Sequence, residues 1–125
     1  MPIHLIWGDD AAARDHAIEA LISDVVDQAW SSINLSRLDG SESGQAQQAL
    51  EEARTPPFGA GMRVVVLQRS PFCNACPSEL ADRFEAALDL IPDSTHLVLT
   101  NPAKPDGRLR TTKALQKRVK QGLAS

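Results

Sequence analysis

Cys73 and Cys76, spaced Cys-Asn-Ala-Cys, are the sharpest chemical signal in the sequence. Such a pair can cycle between dithiol and disulfide, and a helix N-terminus beside it lowers a thiol's pKa and makes it nucleophilic. The pair follows an apolar run at 64–67 and opens a helical stretch, the layout of thioredoxin-like redox proteins. That layout also needs a proline loop entering a strand after the active helix, whereas Pro102 follows the run at 96–100. As a zinc site the pair has two thiols and no second pair at ligand spacing. A thiol redox protein using Cys73 and Cys76 is therefore one reading. Two ordinary cysteines in a loop and cap is the plainer one.

The first turn, Gly8-Asp9-Asp10, invites a phosphate reading because it follows an apolar run and precedes a helix. A phosphate loop needs a second glycine, a lysine and a Ser or Thr, so that amides cradle the phosphates and the lysine and hydroxyl hold charge and metal. The chain reads GDDAAARD and has none of the three. Its two aspartates would repel a phosphate, so ATP hydrolysis is not expected here. The aspartates also lack a third, acceptor aspartate after the third strand, where the sequence is Leu67-Gln68-Arg69-Ser70. An N-cap and a solvated neighbour suffice to explain them. His4, His16 and His96 are scattered, and no serine is spaced with them as a triad. No cofactor is expected. Lys104, Arg108, Arg110, Lys113, Lys117, Arg118 and Lys120 make the C-terminal third basic, which suits phosphate contact with nucleic acid or a solvated helix face. No aromatic is interleaved for base stacking.

The residues at 53–62, ARTPPFGAGM, offer a different kind of chemistry. Pro56 disfavours helical geometry at Thr55, so a helix must stop there. Pro57 fixes the backbone directly before Phe58, and Gly59 and Gly61 allow angles that other residues resist. The result is a short, stiff protrusion ending in one aromatic ring. Such a ring suits insertion into a partner's pocket, because little entropy is lost on docking. The alternative is that Phe58 folds back and plugs the end of the core.

The elements that position these residues alternate along the chain. Residues 3–7 form an apolar run that reads as a buried strand, parallel and central. Ile18, Leu21, Ile22 and Val25 make one helix face. Residues 33–38 alternate apolar and polar, as an edge strand does. Ala46, Ala49, Leu50 and Ala53 keep helical spacing on a thin face that is expected to pack lightly. Residues 64–67 are the clearest strand. Leu80, Phe84, Ala87, Leu88 and Ile91 mark a third helix, opened at Pro77 and ended by Pro92. Residues 96–100 are a fourth strand. Thr111 or Thr112 is expected to cap a last helix with Leu115, Val119 and Leu123 on its apolar face. This order predicts an α/β fold: a parallel sheet with helices on both faces, a three-layer arrangement with ligand sites beyond the carboxyl ends of the strands. The last helix reaches the chain end with no strand after it, which reads as a domain cut from a longer chain.

A chain of 125 residues fits one domain, 1–125. Hydrophobic content of 42% suits a globular core, and only 4% aromatics makes that core aliphatic. A net charge of -3 argues against a surface that grips nucleic acid throughout. No apolar run approaches the ~20 residues of a membrane span. Two cysteines are too few for a disulfide scaffold, and the N-terminus lacks a leader, so a cytoplasmic protein with no membrane contact is expected.

Leu-Ile-Trp-Gly-Asp-Asp at the first strand, Thr-Pro-Pro-Phe-Gly, the strand RVVVL and LVLTNPAKPDGRLRTTKALQKRVK together resemble the delta subunit of bacterial DNA polymerase III, part of the sliding-clamp loader. The resemblance spans nearly the whole chain and corresponds to that subunit's first domain. It implies an AAA+-like, P-loop NTPase-type fold without a functional Walker A motif, with strand order 1-4-3-2 and a fifth strand lost by truncation. It implies a non-hydrolysing accessory subunit of the polymerase holoenzyme, a nucleotidyltransferase complex, that binds the ring-shaped clamp and opens it for loading on DNA. The family's wedge, an aliphatic-aromatic pair often Leu-Phe, falls on Pro57-Phe58, flanked by Thr55, Pro56 and Gly59; proline here replaces the leucine. Implied partners are the beta clamp and, mainly through the absent C-terminal part, the gamma/tau and delta prime subunits. DNA contact would fall to Lys104, Arg108, Arg110, Lys113 and Lys117.

Overall fold

The computed structural model describes residues 2–120. Four strands form one wholly parallel sheet: β1 (Ile3–Trp7), β2 (Leu35–Asp39), β3 (Arg63–Gln68) and β4 (Thr95–Asn101), in the order β1-β4-β3-β2. Around it lie α1 (Ala11–Val25), a 3-10 turn (Gln28–Trp30) running into the short α2 (Ser31–Asn34), α3 (Gln45–Ala53), α4 (Ser78–Leu88) and α5 (Arg110–Lys120). The α/β class and the 1-4-3-2 order expected from the sequence are the observed ones. No described helix is long and apolar enough to cross a membrane.

The central strands are apolar without alternation because both their faces are covered. Val64 and Val66 of β3 and Val98 of β4 meet Ile18 and Ile22 of α1 on one face. Val65 and Leu67 of β3 and Leu97 and Leu99 of β4 meet α3, α4 and Leu115 of α5 on the other. That second layer is not purely aliphatic. Phe72 and Phe84 are fully buried and stacked, with centroids 4.4 Å apart, so the interior uses two of the chain's three phenylalanines.

Several expectations are corrected. β1 is parallel but lies at the end of the described sheet, paired only with β4, so its Trp7 is exposed. The second strand is an edge, as expected, but begins at Leu35; Ile33 and Asn34 belong to α2. The cause is local: Asp27 Oδ1 accepts from Ala29 N and turns the chain before the strand can start. The α3 face packs closely rather than lightly, with Ala46, Ala49, Leu50 and Ala53 all buried, because alanine lets the helix backbone approach the sheet. Thr111 and Thr112 do not cap α5. Both are buried inside its first turn, and the Thr111 hydroxyl donates to the Phe72 carbonyl. Leu123 lies outside the described residues.

Candidate functional site

The loop between α3 and β3 is held at both ends and along its length. Thr55 N donates to Glu52 O as the helix runs out, and Thr95 Oγ1 of β4 donates to Thr55 O at 3.1 Å. At the far end Met62 N donates to Val25 O at 2.9 Å. Between these anchors Gly59 and Gly61 take left-handed angles, φ 65° and 80°. Both sites also lack room for a side chain. A Cβ on Gly59 would run into the Trp30 indole, and one on Gly61 would come within 2.6 Å of the Asp27 amide nitrogen.

Phe58 stands at the tip. Asn34, with no exposed surface, grips its peptide from below: Asn34 Nδ2 donates to Phe58 O at 2.7 Å, and Phe58 N donates to Asn34 Oδ1 at 2.9 Å. The side-chain amide thus pairs with the Phe58 backbone as a neighbouring strand would, which fixes where the residue can point. Phe58 is 58% exposed, so it does not plug the core. Pro56 and Gly59 are exposed and Pro57 is half-buried beside it. Sequence reasoning found the loop and its ring but missed Asn34, Trp30 and Thr95, whose roles exist only once distant segments meet.

This tip lies at the amino end of the parallel sheet, before β3. The carboxyl end, where such folds bind ligands, has a crevice of about 300 Å³ lined by Arg14, Asp15, Gln68, Arg69, Thr100 and Asn101. Some of its polar groups are occupied within the chain, while the buried Thr100 hydroxyl has no hydrogen-bond partner among the described residues. Arg14 donates to Gly8 O, Arg69 pairs with Asp39, and Asp10 Oδ1 caps α1 by accepting from Ala13 N. One first-turn amide, Ala13 N, is thus taken by the Asp10 cap.

The cysteine pair does not open a helix. Cys73 and Cys76 lie in a turn ahead of Pro77, and α4 begins only at Ser78. Cys73 is part of the core, and burial raises both thiols above their usual range; Cys76 is raised further by Cys73 beside it. Redox attack needs the opposite shift, so the thiol reading loses its basis. His4 Nε2 and His96 Nδ1 are 2.8 Å apart in stacked rings at the start of β1 and β4, a structural pairing, while His16 is exposed.

The basic C-terminal third is less basic than its sequence suggests. Arg108 pairs with Asp106 at 3.0 Å, Arg110 with Asp82 at 2.6 Å and Glu85 at 3.1 Å, and Arg118 with Asp89 at 2.8 Å. Lys104, Lys113 and Lys117 are exposed. Lys113 and Lys117 share one face of α5.

Residues 4–122 match the family model described as DNA polymerase III, delta subunit. The structure is similar to that of the Bacillus subtilis DNA clamp loader delta protein (YqeN), with a TM-score of 0.82 and 27% sequence identity. The match covers 94% of this chain and 36% of that one, so the chain spans about a third of that protein's length. No curated protein sequence matches.

Proposed function

The chain belongs to the DNA polymerase III delta subunit family, and from that premise we propose that it is the clamp-contacting domain of a clamp loader, with Phe58 as its principal anchor. One observation carries the reading. A large aromatic residue is more than half exposed while its own backbone is locked to a buried asparagine. An apolar side chain held outward in this way is preorganised for a pocket on another protein. Pro57, Thr55, Pro56 and Gly59 form the stiff mount.

The mechanism is differential binding. The domain would hold the open form of the ring-shaped clamp more tightly than the closed form and so shift the ring toward opening. It would contribute no hydrolysis, since the first turn lacks the lysine and hydroxyl that such chemistry needs. ATP bound by other loader subunits would govern when the tip is available. Any DNA contact would fall to Lys104, Lys113 and Lys117, because Arg108 and Arg110 are engaged with carboxylates.

Titration calorimetry of the intact protein against a bacterial sliding clamp tests this. Phe58→Ala should weaken binding by about 2 kcal/mol or more, roughly thirtyfold, as central aromatic anchors do. Its thermal unfolding should match wild type. Undiminished affinity would remove Phe58 from the interface.

A further inference from the structure

We infer that the segment joining α1 to β2 carries the second half of the same docking surface, with Trp30 and Ile33 seated on the clamp beside Phe58. This rests on the reading of Phe58 as the clamp-facing anchor and extends it to a segment that no sequence motif marked.

The first observation is exposure. Trp30 is 37%, Ile33 47%, Phe58 58% and Met62 36% exposed, and these are four of the seven large apolar side chains exposed among the described residues. They are not scattered. The Trp30 indole covers Gly59, the residue after the anchor. Ile33 adjoins Asn34, whose amide holds the Phe58 peptide. Met62 is tied to the end of α1 through Val25. Two segments far apart in sequence thus meet through Trp30 at Gly59 and Asn34 at Phe58, and each carries exposed apolar side chains.

The second observation is charge. Residues 28–34, QAWSSIN, and 55–62, TPPFGAGM, contain no charged side chain in a chain that is 23% charged. Depletion of charge beside aromatic and aliphatic groups is what distinguishes the centre of a protein interface from ordinary surface. It also selects the occupant: an apolar protein surface, not nucleic acid, which would require cations here.

The third argument is area. A phenylalanine buries at most about 250 Å², whereas a stable interface covers about 800 Å² on each partner. Phe58 alone falls well short. An anchor also needs neighbours that keep water out of its pocket, and the segment braced against the tip supplies two large exposed apolar side chains, Trp30 and Ile33.

The test uses the intact protein and a bacterial sliding clamp. Ile33→Ser alters an exposed side chain and should leave thermal unfolding unchanged while weakening clamp binding about fivefold. Independently, the protein is labelled with 5-fluorotryptophan, and the Trp30 fluorine resonance is identified by its loss in Trp30→Phe. That resonance should shift when the clamp is added. If Phe58→Ala weakens binding but Ile33→Ser does not, and the Trp30 resonance stays in place, the second half of the surface is refuted and the anchor stands. If Ile33→Ser weakens binding and Trp30 shifts while Phe58→Ala is silent, the anchor reading fails and the 28–34 contact stands by itself.

Discussion

Both ends of the Asn34 amide are committed to the backbone of Phe58, and that pairing decides whether the ring is a fixed projection or a loose one. Removing it leaves the Phe58 N–H and C=O without these partners. Asn34→Ala should therefore cost about 1–3 kcal/mol of stability, read by urea unfolding. It should also speed hydrogen exchange of the Phe58 amide. Asn34→Asp keeps the acceptor for Phe58 N and loses the donor to Phe58 O, so exchange at that amide should be less affected. At this scale the sequence was half legible. Two prolines before a phenylalanine and glycines after it announce a stiff tip. An asparagine 24 positions away in an alternating stretch announces nothing, because its purpose comes from a segment that local pattern cannot place. The cysteine pair misled for the same reason. Spacing suggested reactivity, while burial of Cys73 among Phe72 and its neighbours makes it a core side chain.

Among the elements, α3 delivers the chain to the tip, so its seating fixes where the tip emerges. It is seated by alanines: Ala49 and Ala53 have no exposed surface against the sheet. A face of small residues looks weak when apolar area is counted. Its strength lies in distance, since dense packing recovers dispersion contacts that a larger side chain would hold apart. Ala49→Leu should overpack this layer and destabilise the protein by about 1–3 kcal/mol, measured by urea unfolding. A neutral result would mean that the helix has slack and does not set the tip's position. The strands were readable because buried parallel strands are apolar along their whole length, as 64–67 are. Their order entered from resemblance rather than from periodicity, and β1 lies at the edge of the described sheet: an apolar run does not say how many neighbours it has.

For the molecule as a whole, the two ends of the sheet are unlike. At the carboxyl end Arg14, Arg69, Asp10 and Asp39 are bonded within the chain. At the amino end uncharged segments carry exposed apolar side chains on a braced loop. Exposed apolar side chains on a braced loop suit contact with another protein. The most direct measurement places a photoreactive side chain at the tip. Phe58→p-benzoylphenylalanine in the intact protein is mixed with a bacterial sliding clamp and irradiated. The account predicts a covalent adduct within an apolar pocket on the clamp, diminished by excess unlabelled protein. Normal clamp binding with no adduct in that pocket would contradict it.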